Sequence, residues 1–570
     1  MDANRLIALA VFLFSGYMLL EAWDKDQHPV PVVSSAAVPT ATATGPALAA
    51  GVAGATAPGA VTPSATVPGA TVPAGTASGG AATAAPVSGA LATGQRIAIN
   101  TEVFSAEIDT MGGDLRKLVL LQHLGADNGK DPLVLMQDGG TPLYVAQSGL
   151  IGAGLPNHTS LFTAASPVTT GSGTQKITTL DLHATTQDGV EVTKRFVFHD
   201  DSYVIDIVWM LRNTSAVAVP AQAYFQFLRD AKAPPGDPRF VSTYTGSAFY
   251  TESSHFQKVS FGDLDKGKGK IPERADNGWV AMLQHYFVAA FLPPPGMARE
   301  FFARKVGENL YTSGVIVGLG SVAPGASRDL TVPLYAGPQE GERLKALAPG
   351  LDLTIDFGWL AILAVPIWHV LNFIHRWVGN WGWAIVLLTV GIKLAFFPLS
   401  AASFRSMAKM RLVAPKLQKI KEQFGDDRQK QHQAMMELYK TEKINPLGGC
   451  LPVLVQIPVF FALYWTLLAT VELRHAPFLG WIHDLSAQDP LFILPILMGI
   501  SSFIQTRMQP PPPDPVQAKV MMIMPLAFSV MFFFSPAGLV LYWVVNNSLG
   551  ILQQWVITRK VQQQAAAGAR

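Results

Sequence analysis

The sequence predicts a membrane protein in two parts, an exported all-β domain and an α-helical bundle of five core spans, preceded by one anchor helix. Of its 570 residues 49% are hydrophobic and only 14% are charged, whereas a soluble protein carries about 25% charged residues. The long apolar segments cluster after Leu351, and short β-rich runs fill the region before it. The single cysteine, Cys450, excludes an intramolecular disulfide, so the exported domain must depend on its own core.

The N-terminal residues 1–26 predict an anchor that crosses the membrane once. Leu6 to Trp23 is apolar except near its ends, and the bulky, charged LLEAWDKD that closes the run lacks the small residues of a cleavage site. An uncleaved anchor is therefore favoured over a cleaved signal peptide. Residues 27–95 contain no Asp, Glu, Lys or Arg and are rich in Ala, Thr, Pro and Gly, which predicts a disordered linker.

Residues 96–350 predict a large antiparallel β-sandwich. The stretch VEVTKRFVFHDDSYVIDIVWMLRN holds two β-rich runs around a turn at 199–202. Residues of the second run share one face by period two: Tyr203, Ile205, Ile207, Trp209 and Leu211. Asp188-Gly189 predicts another hairpin. The histidines of this region lack the spacing of metal ligands, and no nucleophile accompanies a base, so neither a metal site nor a hydrolytic site is predicted.

The final part, 351–570, predicts the membrane core. Its apolar segments are 357–377, 381–401, 450–471, 490–506, 520–535 and 537–557. The loop 403–445 carries ten Lys or Arg against five Asp or Glu, so the positive-inside rule assigns it to the cytoplasm. With the N-terminus also inside, only one of the first two segments can span. Polar residues along 357–377 favour an amphipathic helix in the outer interface, which leaves five spans and a cytoplasmic C-terminus.

One lysine lies near the middle of the first core span. The five predicted spans contain one ionisable residue that is not at an end of its span, and this residue is Lys393. A charge at the bilayer centre costs about 2.5–3.5 kcal/mol. Its ammonium could reach the inner surface along the flexible stem, or it could lie in a water-filled cavity. The outward tilt of the Cα–Cβ bond and the polar residues of the spans, among them Thr389 and Gln456, favour the cavity.

The loop 403–445 predicts a cytoplasmic helical hairpin. Residues of its first helix step by three and four, the spacing of a coiled-coil seam: Met410, Val413, Leu417, Ile420 and Phe424. Four methionines add adaptable apolar surface beside the basic Arg411: Met407, Met410, Met435 and Met436. The second helix is expected to pack through Met435, Met436, Leu438 and Tyr439. The hairpin is either a plain packed element or a docking platform for ribosomes, targeting factors or emerging apolar segments.

Several long stretches resemble the YidC/Oxa/Albino family of membrane protein insertases. These are GNWGWAIVLLTVGIKLAFFPLS, SMAKMRLVAPKLQKIKEQFGDD, EKINPLGGCLPVLVQIPVFFALYW, VELRHAPFLGWIHDLSAQDPLFILPILMG and SPAGLVLYWVVNNSLGILQQWVI. The resemblance is dense over 350–560. The anchor and the β domain resemble the long Gram-negative form, which implies a periplasmic β-supersandwich like that of galactose mutarotases, and an inner-membrane protein with both termini in the cytoplasm.

The resemblance implies a protein that inserts and folds inner-membrane proteins, alone or beside the Sec translocon and its accessory subunits. Implied partners are nascent membrane proteins, the ribosome, targeting factors and the lipid bilayer; no enzyme activity, cofactor or metal is implied. The family's hydrated groove carries an arginine where this sequence has Lys393. Substrate contacts of the family fall on Thr389 and on Trp543, where a tyrosine is common. The remaining candidate groove residues are Gln456, Tyr542 and Asn546.

Two other functions fit parts of the sequence. A charged cavity would suit a solute transporter or channel, but the spans lack deep Asp, Glu or His residues and a repeated half-topology. An anchored periplasmic sugar-binding or sugar-modifying protein would use the β domain, but the sequence offers no paired acid and base for such chemistry.

Overall fold

The computed structural model describes residues 91–125, 130–235, 243–425, 427–442, 451–509 and 515–568. The predicted anchor, 1–26, and all but the last five residues of the predicted linker, 27–95, lie outside the described residues.

The β part is built from two antiparallel sheets. Its strands are β1 Arg96–Asn100, β2 Phe104–Asp109, β3 Asp114–Leu124, β4 Pro132–Met136, β5 Tyr144–Ile151, β6 Thr163–Ala164, β7 Val168–Thr170, β8 Ile177–Thr185, β9 Val190–His199, β10 Val204–Asn213, β11 Val219–Asp230, β12 Gly246–Thr251, β13 His255–Ser260, β14 Arg274–Ala275, β15 Trp279–Gln284, β16 Phe287–Phe291, β17 Arg299–Gly307, β18 Leu310–Val322 and β19 Ser327–Pro338. Among the described residues, one sheet runs β1-β2-β3-β5-β11-β18-β17-β14, with β4 beside β3, and the other runs β13-β12-β15-β16-β19-β10-β9-β8-β6, with β7 beside β8.

The hairpin of β9 and β10 confirms the predicted alternation. Ile205 pairs with Phe198 and Trp209 with Lys194, and the connection between the strands lies at 200–203, one residue beyond the predicted turn at 199–202. The alternate side chains from Tyr203 to Leu211 are all buried. Gly189, in the Asp188-Gly189 turn before β9, has φ 82°, a left-handed conformation that glycine adopts without steric cost. Period-two apolar patterning therefore sets which face of this sheet is inside.

The two sheets pack face to face over one hydrophobic core. Aromatic side chains from opposite sheets meet there: the ring centroids of Phe104 and Phe198 are 6.1 Å apart, and those of Phe227 and Phe291 are 4.6 Å apart. Aromatic pairs at such distances add stability beyond the area that they bury. The predicted β-sandwich is confirmed, with a core that extends from Ile99 to Val471 in the helical part.

The helical part follows directly. The α-helices of the described residues are α1 Phe261–Asp265 and α2 Gly341–Leu347 in the β part, then α3 Ala361–Val378, α4 Trp381–Ala395, α5 Phe397–Phe424, α6 Arg428–Thr441, α7 Leu451–Ala469, α8 Ile493–Arg507, α9 Pro515–Phe532 and α10 Ala537–Gly568. The last helix has 32 residues. At 1.5 Å rise per residue it is about 48 Å long, longer than the hydrocarbon layer of about 30 Å.

The predicted span 381–401 is divided into two helices. Asn380 begins α4 by accepting a hydrogen bond from the Trp383 backbone N–H at 3.1 Å, a typical N-cap. The helix ends at Ala395, and α5 leaves at an angle of 66°. Pro398 explains the break, because proline is tolerated in the first turn of a helix but clashes with the carbonyl four residues earlier inside one.

Length and composition test the membrane spans only partly. Among the described residues, one helix, α3, is long and apolar enough to cross a membrane by itself. Helices α4 and α5 are long and apolar enough only when they are taken together as one bent pair. Shorter apolar helical segments of 10–17 residues lie within α7, α8 and α9. The count of five core spans and the interfacial position of 357–377 therefore stay predictions.

The β part rests on the end of α7. Nε2 of His285, after β15, lies 2.9 Å from the Leu468 carbonyl oxygen. Val471, in the short 3₁₀ turn Val471–Leu473, is buried in the core of the β part. The Arg474 guanidinium lies 5.5 Å from the centre of the Phe287 ring. These contacts fix the two parts against each other and enclose Glu472 between them.

We predict that Glu472 makes this junction sensitive to pH. Burial, and secondarily the charge of Glu340, raises the pKa of Glu472 from 4.5 to about 7. The folded protein therefore favours the protonated carboxyl, and stability falls as pH rises from about 4.5 through about 7. Glu472→Gln should flatten this dependence and unfold at a higher temperature than the unsubstituted protein at about pH 8.

The measurement is the thermal unfolding midpoint of the full chain in detergent over that pH range. Glu342→Gln is the matched control, because Glu342 is exposed on α2. Parallel pH profiles for the unsubstituted protein and Glu472→Gln would contradict the prediction.

Candidate functional site

Six of the described helices form one packed bundle, which we call the core bundle: α3, α4, α7, α8, α9 and α10. Their buried apolar side chains make a single cluster that includes Leu371, Ile385, Leu463, Met498, Phe532 and Val540. On the outside, α3 and α8 expose large apolar side chains such as Ile362 and Ile500, as expected for surfaces that face lipid. Polar side chains are therefore concentrated within the bundle.

Lys393 lies in the last turn of α4 and points toward α10. A Cβ built on Gly550 would lie 3.8 Å from the Lys393 Nζ and 3.2 Å from the Gln505 Nε2. Both polar side chains thus converge on the bare backbone of Gly550, where any larger residue would contact them. Among the described residues, the ammonium of Lys393 has no hydrogen-bond or ion-pair partner.

A column of polar groups continues along α10 on both sides of Gly550. Asn546 accepts a hydrogen bond from the Gln456 Nε2 of α7 at 2.6 Å. Gln554 donates to the Met508 carbonyl at the end of α8 at 2.9 Å. Asn546, Gly550 and Gln554 are four residues apart, so they share one face of the helix. We call this set, with Lys393 and Gln505, the polar column.

A second set of hydrogen bonds holds α10 against α8. The Asn547 Nδ2 donates to the hydroxyls of Ser501 and Ser502, at 3.2 and 2.9 Å. Asn547 and Ser501 are buried, so these bonds satisfy groups that would otherwise destabilise the bundle.

Some buried polar atoms near the column have no hydrogen-bond partner among the described residues. They are the indole N–H of Trp543, the Gln553 Nε2 and the Gln554 Oε1. Buried polar groups in proteins are nearly always paired with protein or with ordered water. These atoms therefore mark places where water or a bound polar chain would be stabilised.

The other predicted groove residues are packed more tightly than expected. Thr389 is 1% exposed and its hydroxyl donates to the Ile385 carbonyl at 2.7 Å. Tyr542 is buried, with its ring stacked near Phe460. Trp543 packs between Phe460 and Phe532, at ring-centroid distances of 4.9 and 5.6 Å. The structure thus brings Lys393, Gln456 and Asn546 to the polar column and keeps Thr389 and Tyr542 inside the packed wall.

The site prediction missed several members of this interior. Gln505 and Gln554 join Lys393 and Asn546 in the polar column, and Asn547 joins α10 to α8. One signal could have found part of this set, because Asn546, Gly550 and Gln554 recur at helical spacing in an otherwise apolar segment. Gln505 carries no such signal, since it comes from a different helix.

The hairpin of α5 and α6 is present as predicted. The seam residues of α5 are less exposed than their neighbours, and Val413 is buried. Lys416 and Glu442 form an ion pair across the hairpin at 2.6 Å. Met435 is half-buried, but Met436 is 41% exposed. The expectation that both pack inward is wrong for Met436, because the next residue along a helix points about 100° away.

Arg411 binds the end of α8, whereas a docking residue was expected to lie free on the surface of the hairpin. Its guanidinium donates to the carbonyls of Met508 and Gln509, at 2.8 and 3.3 Å, just after α8. The last carbonyls of a helix lack partners within the helix, and a cation there is favoured by the helix dipole. Arg411 therefore ties the hairpin to the end of α8.

Comparison with known proteins identifies the class first. The family described as the 60Kd inner membrane protein matches residues 373–564, and the YidC periplasmic domain matches residues 96–370. The chain is thus an inner-membrane protein with a periplasmic β domain.

Within the described residues, no three His, Cys, Asp or Glu side chains are placed to hold a metal ion.

Full-length relatives then give the family. The chain is 51% identical over 566 residues to the membrane protein insertase YidC of Nitrosospira multiformis, covering 99% of this chain and 98% of the relative. It is 49% identical to that of Aromatoleum aromaticum, covering 99% of each. A crystal structure of an active YidC insertase aligns with 81% of this chain and 92% of its own, at 19% identity and a TM-score of 0.40. The chain belongs to the YidC family of membrane protein insertases.

The Gln456–Asn546 bond should stabilise the bundle at the polar column. We predict that Gln456→Ala and Asn546→Ala each destabilise it by about 1–3 kcal/mol, because each leaves the other amide unpaired. The double variant should lose less stability than the sum of the two single variants, because neither amide is then left without its partner. A double-mutant cycle by thermal unfolding in detergent measures this coupling.

Ser548→Ala is the control on the same helix. The Ser548 hydroxyl is exposed and bonds only its own helix, at the Val544 carbonyl. Strictly additive costs for the two amide substitutions would show that the pair is not coupled.

Proposed function

We propose that this chain inserts inner-membrane proteins and assists their folding through a hydrated groove formed at the polar column. The observation that carries the proposal is the Lys393 ammonium among apolar helices, without a partner in the described part of the chain and beside Gly550 and Gln505. Family membership supports the general role, and the buried unpaired atoms of Trp543, Gln553 and Gln554 support the water.

The groove would work by reducing the cost of moving polar chain through apolar surroundings. At 4 Å and an effective dielectric of about 20, a charge pair with Lys393 gives about 4 kcal/mol before desolvation, enough to hold an acidic or polar client segment briefly. The larger driving force is the apolar segment of the client, at about 25 cal/mol per Å² removed from water. Insertion in this form makes and breaks no covalent bond, so the proposed activity is not enzymatic and uses no cofactor.

The proposed topology follows the charges of the sequence. One N-terminal crossing over 1–26 and a linker over 27–95 lead to the periplasmic domain, and the helices after residue 351 form five core spans. The basic hairpin 403–445 and both termini lie in the cytoplasm by the positive-inside rule. Lys393 then lies nearer the inner surface, where cytoplasmic water can reach it.

The hairpin is the proposed docking site for partners in the cytoplasm. Exposed apolar residues such as Leu412 and Met436 lie among many lysines and arginines. Such a surface suits ribosome-bound nascent chains and targeting factors, with apolar contacts to the emerging segment and basic contacts to acidic groups. Cooperation with the Sec translocon belongs to the same proposal.

Charge reversal at Lys393 tests the groove. Lys393→Arg should retain insertion of a single-span client with an acidic outer tail. Lys393→Glu should lower it about tenfold, the effect of a loss of about 1.4 kcal/mol. Insertion into proteoliposomes, scored by protection of the client tail from protease, gives the measurement.

Lys519→Glu is the matched control, because it reverses the same charge on an exposed residue of α9. If Lys393→Glu inserted the client as well as Lys519→Glu, the charge of Lys393 would have no role in insertion.

An apolar-to-acidic change on the hairpin tests the docking proposal. Met436→Asp should weaken crosslinking of a ribosome-bound nascent membrane segment to α6 and lower insertion several-fold, because it removes exposed apolar surface. Gln433→Asp adds the same charge at another exposed position of α6 and should leave both unchanged. Equal crosslinking and insertion for the two variants would rule out docking through Met436.

A further inference from the structure

A cavity of about 510 Å³ opens between the periplasmic β domain and the core bundle. Its polar wall comes from the β domain, where Thr245 precedes β12 and where Lys258 and Ser260 belong to β13. Its other wall comes from residues 354–359 and the end of α7, with Trp359 and Trp465. The cavity is thus polar toward the domain and aromatic toward the helices, and it plays no part in the polar column.

One positive and one negative charge lie side by side where the two walls meet, on Lys258 of β13 and on Asp356 of the segment 354–359. The Lys258 ammonium lies 2.6 Å from the Asp356 carboxylate and 4.9 Å from the centre of the Tyr244 ring. Both charged side chains are partly exposed, at 29% and 48%. The ammonium has three donors and the carboxylate several acceptor positions, so each can bind a further group. The buried Thr245 Oγ1 has no partner among the described residues.

The aromatic wall continues onto an apolar surface outside the cavity. Trp359 is 76% exposed and Ile362, at the start of α3, is 83% exposed. Gly358, with φ 67°, packs directly against Trp465, since a Cβ there would lie 2.9 Å from the indole ring. Tryptophan is enriched at the level of lipid headgroups, so these residues mark the outer membrane interface, where the periplasmic domain meets the bundle.

We propose that this cavity binds the zwitterionic headgroup of an outer-leaflet phospholipid, a phosphoethanolamine, with its acyl chains along the exposed face of α3. The phosphate would accept hydrogen bonds from Lys258 and neighbouring hydroxyls, and the ammonium of the lipid would donate to Asp356. The opposite charges of Lys258 and Asp356 match the phosphate and the ammonium of a headgroup that has no net charge. A headgroup that carried only a negative charge would be attracted by Lys258 but repelled by Asp356. The bound lipid seats the β domain on the membrane, a role separate from insertion.

Photocrosslinking of the full chain in nanodiscs tests the proposal. The discs consist of phosphatidylglycerol with a trace of phosphatidylethanolamine that carries a diazirine at the start of one acyl chain; a matched phosphatidylglycerol probe is the second arm. Labelled residues are mapped by peptide mass spectrometry. The ethanolamine probe should label Tyr244, Trp359 and Trp465, and soluble glycerophosphoethanolamine at the same concentration should not displace it.

The variant Lys258→Gln with Asp356→Asn removes both charges and keeps the net charge. It should lower labelling at Tyr244 and Trp465 about fivefold, the loss expected for two partly exposed charge contacts. The control Arg212→Gln with Glu191→Gln removes an exposed ion pair on β9 and β10 and should change nothing. Trp359→Ala, at an exposed position, should also lower labelling of Trp465, and an unchanged thermal midpoint shows that each variant is folded.

Four results would overturn the proposal. Three are equal labelling of the charge-free variant and the unsubstituted protein, equal labelling by the glycerol probe, and labels confined to the outer face of α3. Displacement by soluble glycerophosphoethanolamine would also overturn it, because the ligand would then be a soluble molecule and not a lipid.

Discussion

The placement of one ammonium among apolar helices is the constraint on which the core bundle depends. Lys393 cannot be paired by an acid within its spans, because the described parts of the spans offer none near it. The bundle instead surrounds it with neutral dipoles and with the bare backbone at Gly550. A neutral polar lining leaves the charge of Lys393 uncompensated, whereas a carboxylate would neutralise it. The same lining holds α7, α8 and α10 together through amide hydrogen bonds.

The β domain and the core bundle are in direct contact at their junction. Val471 completes the core of the domain, and His285 and Arg474 fix the end of α7 beneath it. A periplasmic domain attached only by a flexible segment would move independently of the groove. Here the end of α7 and the turn after it contact the domain directly, so the domain is held against the bundle at this junction.

Much of the fold could be predicted from the sequence because its signals are local. Alternation in β9 and β10, the Asp188-Gly189 turn and the three–four spacing of α5 each depend on neighbours a few residues away. Pro398 was also a local signal for the break at Phe396. The prediction did not use it, because the apolar composition of 381–401 is continuous across the break. The polar column was only half predictable. Lys393 and Asn546 are conspicuous in apolar runs, whereas Gln505 comes close to Lys393 only because α4 and α8 both pack against α10 at Gly550. The packing of Thr389 against its own helix backbone likewise depends on tertiary structure.

The bond from Arg411 to the end of α8 gives the hairpin a mechanical connection to the interior. Beyond the bend near Phe396 the first half of α5 packs against α10, and Arg411 adds a second connection, to the end of α8. A displacement of α5 relative to the bundle would therefore act, through the Arg411 guanidinium, on the carbonyls just after α8. Gln505 sits in the last turn of α8, beside Lys393. Movement of the hairpin would thus reach the neighbourhood of Lys393, because Gln505 lies about one helical turn from the carbonyls that bind Arg411.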